Sequence, residues 1–390
     1  MADRILTTHV GSLPRPERVV TQLFAQDSGL NYDAALFDTV MQAEVNDVVA
    51  RQVLAQVDVV SDGEMSKISY ATYIRHRLTG FELGEMPRAV PLDLDDFPEF
   101  KERLAKLGAT PKYHRPICTG PIAVKDLSGL HKDIENLKAA CAKAAQSGQT
   151  PIRAFMNSAS PGVIAVFQPN KYYASHERYL QALADAMTTE YEAIVAAGLD
   201  LQIDAPDLAM GRHIQFRDVD DAEFLRNANL QVEALNHALR NVPAERVRMH
   251  VCWGNYEGPH HRDIGMDKII DVVLKAKPGT VLFEGANPRH AHEWEVWAKA
   301  GSEKRIPDNK ILAPGVLDTV NNFIEHPRLV AQRLLTYANI VGRERVMAAS
   351  DCGFGTFAGF GAIHPPICYA KLASMAEGAR MASDELWKTT

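Results

Sequence analysis

No run of this chain is apolar for long enough to cross a bilayer, and no lysine- or arginine-rich run stands out. The opening Met1-Ala2-Asp3-Arg4-Ile5-Leu6 has no apolar core of the kind a signal peptide needs, so a cytoplasmic protein is expected. Cysteine is sparse: there are five in 390 residues, an odd number. That count fits a reducing compartment, where thiols serve metals or catalysis more often than disulfides. No G-x-G-x-x-G follows a strand pattern, so a dinucleotide-binding open sheet lacks its fingerprint. Internal repeats and low-complexity tracts are also missing. The net charge is −7, which makes nucleic acid and anionic membrane surfaces poor partners. What remains is ordinary globular composition, 46% hydrophobic and 23% charged, with ample length for a large core. The sequence leaves homo-oligomerisation open.

The chain alternates between short apolar runs and helical periodicity. Strands are predicted near residues 6, 57, 152, 201, 247, 280, 311 and 346. Between them, apolar residues recur at three and four over roughly 31–56, 175–197, 220–240 and 326–341, and a closing helix is expected over 366–382. Eight strands alternating with helices imply βαβ units, a parallel sheet and a (β/α)8 TIM barrel, with the whole of 1–390 as one domain. Residues from about 66 to 150 break the rhythm. They contain three prolines between Met86 and Phe100, and the acidic run Asp93-Leu94-Asp95-Asp96. This stretch reads as an excursion inserted between the second and third barrel strands, with a small sheet covering the barrel mouth. The acidic run is expected to be a solvated loop.

Polar residues cluster where predicted strands end, and a parallel barrel sends all those ends to one face. Ser12 follows the first strand, Glu64 the second and Asp204 the fourth. His250 and Cys252 end the fifth, Glu284 the sixth and Cys352 the eighth. On a strand, residues i and i+2 share a face, so His250 and Cys252 can reach one ion. An imidazole, two thiolates and a carboxylate suit zinc, and the sulfurs argue against magnesium or calcium. His-x-Cys alone is a weak signal, because a single His or Cys on a strand is more often packed than ligating. The weight lies in four such residues sharing one face. Cys118, Cys368, His260, His261, His290 and His292 are other candidates, and the His260-His261 pair after Gly258-Pro259 reads equally well as a solvent-facing loop. Four protein ligands look structural, but a labile Glu284 would admit an incoming thiol, which zinc would hold as the nucleophilic thiolate. Backbone N–H groups after Gly11 and the Ser12 hydroxyl could hold a carboxylate, and Glu64 an ammonium. The bland alternatives are a strand-to-loop turn for the first and a helix cap or solvated loop end for the second. The predicted chemistry is S-alkylation, with a small-molecule thiol and an alkyl donor as the partners.

Taken together, Thr7-Thr8-His9-Val10-Gly11-Ser12, Asp62-Gly63-Glu64, Gln202-Ile203-Asp204-x-Pro206, His250-x-Cys252, Glu284 and Asp351-Cys352-Gly353 resemble the cobalamin-independent methionine synthase family. The match is to its catalytic barrel, in order and over nearly the whole chain. The resemblance implies zinc on His250, Cys252, Glu284 and Cys352. It also implies Ser12, Glu64 and Asp204 at positions that hold the carboxylate and ammonium of homocysteine, with Glu64 and Asp204 as the catalytic carboxylates. The sequence departs from the family in three ways. The synthase's N-terminal half, which contributes to folate binding, has no counterpart. Val320 stands where the family has a histidine after its seventh strand, and Asp62 stands where the synthase has another histidine. These departures leave the donor open and point toward single-barrel relatives, which include enzymes joining a thiol to an epoxide, such as the epoxyalkane:coenzyme M transferases. A metal-free decarboxylase on a similar barrel, and a binding protein with a structural zinc, are the rival readings.

Overall fold

The computed structural model describes residues 3–84, 90–106, 115–148 and 150–388. Its strands are β1 (Leu6–Thr7), β2 (Val59–Val60), β3 (Phe81–Gly84), β4 (Arg115–Cys118), β5 (Arg153–Ala159), β6 (Asp200–Asp204), β7 (Val247–Val251), β8 (Thr280–Phe283), β9 (Ile311–Leu317) and β10 (Met347–Ser350). Its helices are α1 (Glu17–Ser28), α2 (Ala34–Leu54), α3 (Pro98–Lys106), α4 (Ser128–Gln146), α5 (Pro161–Phe167), α6 (His176–Ala196), α7 (Asp221–Ala238), α8 (Met266–Lys275), α9 (Trp294–Ser302), α10 (Pro327–Val341) and α11 (Pro365–Leu386). Among the described residues, no helix is long and apolar enough to cross a membrane.

Eight strands form one parallel sheet in the order β1-β10-β9-β8-β7-β6-β5-β2, which curls into a nearly closed α/β barrel. Side chains bridge the seam between β1 and β2. The Thr7 N–H and hydroxyl donate to Asp58 Oδ2 at 2.8 and 3.0 Å, and the Thr8 hydroxyl donates to the Val59 carbonyl at 3.1 Å. The helices bury one face against the outside of the sheet, and this layer is the main core. A smaller set fills the barrel interior, including Val10, Val59, Phe155, Leu282 and Met347. The buried Arg248 guanidinium lies 3.9 Å above the Phe155 ring and donates to the Thr8 hydroxyl and the His9 carbonyl.

The helix starts obey local capping rules. Asp33, Ser175 and Asp220 accept from the first-turn N–H groups of α2, α6 and α7. Proline opens α5, α10 and α11, where its missing N–H leaves no donor without a partner. The register places Asp204 of β6 beside His250 of β7, and Val251 beside Phe283 of β8. Cys252 and Glu284 therefore emerge together, one residue past their ladders.

The excursion forms an antiparallel pair, β3 with β4, followed from α4 onward by the return to the barrel. Several helices are absent from the reading of the sequence, among them the short α3, α5 and α9 and two longer ones. One is α1, directly after Pro14 and Pro16; the other is α4, which lies within 66–150 and packs on α2. The acidic run also differs from expectation. It forms a short 3₁₀ turn, Leu92–Asp96, whose Asp93 is fully buried and accepts from the His260 N–H at 2.7 Å and from the Tyr256 hydroxyl. Only Asp95 and Asp96 face solvent, paired with Lys101 and Arg217 and with His261 and Arg262. A carboxylate with two donors arriving from another loop can be buried, and composition alone does not reveal those donors.

The seam yields a test. Asp58→Ala leaves buried donors on Thr7 without their acceptor and is expected to cost about 2–3 kcal/mol in urea unfolding. Arg4, the more exposed partner of Asp58, is worth less than about 1 kcal/mol. Equal losses for the two alanine variants would contradict this account of the seam.

Candidate metal and thiol site

The face at the C-terminal ends of the strands collects the predicted residues. One ligand atom each from His250, Cys252 and Cys352 lies within 4.8 Å of the other two, and all three residues are buried. His250 Nε2 lies 3.0 Å from the Asp351 carbonyl, which can only accept, so Nε2 carries a proton and the neutral ring keeps its lone pair on Nδ1. Nδ1 faces Asp204 Oδ1 at 3.7 Å. Burial opposes charge on His250, but Cys252 and Asp204 outweigh it and push the imidazole up to about 9. The Cys252 thiol is lowered, chiefly by its hydrogen bond with Cys352. Cys352 is pushed well up by burial and by Cys252 beside it.

Glu284 stands beside this trio, with Oε1 3.8 Å from Cys352 Sγ. Both of its oxygens already have donors. The Trp253 N–H reaches Oε1 at 2.9 Å, while Asn287 Nδ2 and Arg289 Nη2 reach Oε2 at 2.6 and 2.7 Å. Burial works against the Glu284 charge, but Arg289, His290 and the Trp253 N–H outweigh it and keep the carboxyl below its usual range. Asp351 ties the two loops together. It accepts from the N–H groups of Gly285, Ala286 and Asn287 at 2.8–2.9 Å and from Asn287 Nδ2 at 2.7 Å.

A second, contiguous set lies on the side of β1, β2 and β5. Gly11 has φ +136° and lies so close to Asn157 that a Cβ there would sit 2.2 Å from Asn157 Oδ1. Asn157 Nδ2 donates to the Val10 carbonyl at 2.8 Å and to Asp204 Oδ2 at 2.9 Å. Ser12 packs against Gly353, next to Cys352, and its carbonyl accepts from the Phe354 N–H at 2.7 Å. Glu64 is buried with φ +56°, and its Oε2 lies 3.7 Å from Arg15 Nη2. Glu64 Oε2, Arg15 Nη2, Asn157 Oδ1 and Gln202 Oε1 are buried without a hydrogen-bond partner among the described residues. Cys118 and Cys368 lie away from this face, buried in the main core.

Sequence reasoning assigned no role to several residues of the site. Asn287, Arg289 and Asp351 were within reach, because each lies within five positions of a proposed ligand. It also treated His260, with His261, as equally compatible with solvent, whereas His260 is buried in a cluster with His213, His290 and Asp263. A cavity of about 870 Å³ at the opposite end of the barrel, lined by Arg4, Asp58 and Trp387 among others, contains none of the proposed site residues.

No family model matches the chain. It is 26% identical over 384 residues to a methionine synthase of Saccharolobus solfataricus, a match covering 97% of this chain and 95% of that protein. A methionine synthase of Sulfurisphaera tokodaii is 23% identical over 384 residues, covering 97% and 93%. Among solved structures, a B12-independent methionine synthase from Shewanella sp. W3-18-1, in complex with selenomethionine, superposes with a TM-score of 0.72 at 18% identity, covering 98% of this chain and 99% of that one. That superposition establishes the fold.

The carboxyl of Glu64 supplies a pH test. Burial pushes it up to about 7, Lys67 pulls it back and Asp204 adds to the rise. Because the folded value lies above the unfolded one, the stability it contributes is full below pH 4.5 and is lost as pH rises through about 7. Glu64→Gln should flatten the urea-unfolding profile across that window by on the order of 1–3 kcal/mol. Superimposable profiles for the two proteins would contradict the assignment.

Proposed function

We propose that this chain, a member of the cobalamin-independent methionine synthase family, is a zinc-dependent S-alkyltransferase that activates an acceptor thiol, with homocysteine as the acceptor and methionine as the product. In this reading the whole chain acts as a single barrel domain in the cytoplasm. The observation that carries it is the convergence of one imidazole and two thiols on a buried point at the C-terminal face of the barrel. The donor set fits zinc, and three protein ligands leave the open position typical of catalytic sites rather than structural ones. Zinc held by His250, Cys252 and Cys352 would lower the pKa of an incoming thiol and keep it as the nucleophilic thiolate.

The chain's own residues do the rest. The Asp351 carbonyl holds the His250 ring by Nε2, so that its metal-binding nitrogen is Nδ1, which faces Asp204. Glu284, anchored by Trp253, Asn287 and Arg289, lies beside Cys352, and it could yield to an incoming thiol without becoming a buried charge lacking partners. The buried atoms Glu64 Oε2, Arg15 Nη2, Asn157 Oδ1 and Gln202 Oε1, left without hydrogen-bond partners, suit a ligand with both donors and acceptors. A zwitterionic amino acid is such a ligand, with the ammonium at Glu64 and Asp204 and the carboxylate at Gly11 and Ser12. Its side-chain thiol would then point toward Cys352, which adjoins Ser12 through Gly353. Buried packing around the trio excludes water from the attack of the thiolate on the alkyl carbon.

The alkyl donor is a separate matter. Val320 cannot donate a proton to a leaving group, and Asp318 beside it is engaged with the Val320 N–H and Asn321 Nδ2. A donor other than the standard folate, such as an epoxide, is the second reading that this favours.

Elemental analysis of the purified protein should give one zinc per chain. Cys252→Ser and Cys352→Ser should each weaken zinc by more than the roughly 10–100-fold typical of losing an outer partner, and should abolish alkyl transfer in a screen of thiol acceptors. Full alkyl-transfer activity in a metal-free Cys352→Ser protein would overturn the zinc mechanism. Homocysteine binding should weaken as pH falls below about 7, where Glu64 takes up its proton, and Glu64→Gln should remove that dependence. A binding curve flat with pH in the parent protein would count against Glu64 as the ammonium partner.

A further inference from the structure

Behind the site lies a buried cluster that the proposed chemistry does not use. Asp263, in the loop after β7, receives three imidazoles from three different loops. His213 Nδ1, after β6, is 2.8 Å from Oδ1, close enough to pair electrostatically but out of line for a hydrogen bond. His260 Nδ1, after β7, and His290 Nε2, after β8, are 2.8 and 3.0 Å from Oδ2. The other ring nitrogen of His290 lies 3.0 Å from Glu293 Oε2. A carboxylate only accepts, so His290 carries protons on both nitrogens and is an imidazolium. Glu293 in turn accepts from the Met266 N–H at the start of α8, at 2.7 Å.

Two arms lead from this cluster to Glu284. In the first, His290 stacks on Trp253 with ring centroids 3.9 Å apart and planes 21° from parallel. Trp253 is further pinned by its indole N–H on the Ile264 carbonyl at 2.6 Å, and its backbone N–H is the donor to Glu284 Oε1. In the second, His260 lies against Tyr256, with ring centroids 4.3 Å apart and Nε2 3.2 Å from the Tyr256 carbonyl. That carbonyl also accepts from Arg289 Nη1 at 3.3 Å, and Arg289 Nη2 is a donor to Glu284 Oε2. Each oxygen of Glu284 is thus held by a group that one arm of the cluster holds in turn. Trp253 also directly follows Cys252.

We propose that Asp263 is a positioning residue: through His290–Trp253 and through His260–Tyr256–Arg289 it sets where the two oxygens of Glu284 stand relative to Cys252 and Cys352. Outer partners commonly orient metal ligands one contact away. Asp263 acts at longer range, three contacts away along one arm and four along the other, and bears on both oxygens of one carboxylate. The inference rests on the reading that His250, Cys252 and Cys352 hold a metal, and the test separates the two.

The probe is cobalt(II), added to the parent chain, Asp263→Asn, Glu284→Gln and the double variant, read by visible absorption and by chelator competition. Asp263→Asn should still take one cobalt per chain, with affinity lowered about 10–100-fold. Its bands should shift as those of Glu284→Gln do, and the double variant should match Glu284→Gln alone, because the two residues act as one unit. Parent-like bands and affinity in Asp263→Asn would overturn the proposal, and so would a shift that adds to that of Glu284→Gln. If Asp263→Asn fails to fold, His290→Phe replaces it: the phenyl ring keeps the stack on Trp253 and loses both carboxylate contacts, and the same shift and the same non-additivity are expected. Urea unfolding of the metal-free variants separates lost stability from altered ligand placement. A parent chain that takes up no cobalt, or a Cys252→Ser variant that keeps it, would instead overturn the metal reading itself.

Discussion

Four N–H donors converging on the Asp351 carboxylate hold the centre of this protein together. Three are consecutive backbone amides of the loop after β8, and the fourth is the Asn287 side chain. The carboxylate precedes Cys352, and the loop it grips begins at Glu284. Its own carbonyl meets His250. The end of β7 and the loops after β8 and β10 are therefore registered against one another by one residue, Asp351, through its carbonyl and its carboxylate. Burial, and the neighbouring Glu284, raise that carboxyl to about 6, and the backbone N–H groups pull it back. Gly315 belongs to the same arrangement, since a Cβ there would sit 1.9 Å from Asp351 Oδ1. The barrel supplies the strand ends, and Asp351 supplies the spacing between the groups they carry.

Around that anchor the site divides into two halves. One is soft, with an imidazole and two thiols poised within ligand reach of one another. The other is polar and incompletely paired, built from Gly11, Ser12, Glu64, Asn157 and Asp204. Asp204 joins them, touching Asn157 on one side and facing His250 on the other. An α/β barrel of this kind supports many chemistries, so the fold alone does not select one. Under the proposed function, the selection comes from pairing the His250, Cys252 and Cys352 trio with the incompletely paired polar groups beside it.

Much of this was legible in the sequence because it depends on local pattern. The eight strand runs, the helices at α2, α6, α7, α10 and α11, and the placement of His250, Cys252 and Cys352 at strand ends all follow from periodicity and from the direction of a parallel barrel. α1 escaped because Pro14 and Pro16 mark a loop as readily as a helix start, and α4 because it emerges from an irregular, proline-bearing stretch. The burial of Asp93 was invisible for a different reason: its partners Tyr256 and His260 lie 163 and 167 positions away. The Asp263 cluster is likewise assembled from three loops. A charged residue reads as solvated until its distant partner is known. Glu284 illustrates the same limit. The sequence grouped it with the other three site residues, but the donors that hold it beside the thiols are a matter of tertiary geometry.

The central claim is that a zinc ion on His250, Cys252 and Cys352 takes the acceptor thiol as a further ligand. X-ray absorption at the zinc edge, recorded with and without homocysteine, tests it most directly by counting sulfur neighbours. The account expects two sulfurs, those of Cys252 and Cys352, in the protein alone, and a third when homocysteine is added. An unchanged sulfur count on saturation with homocysteine would contradict it.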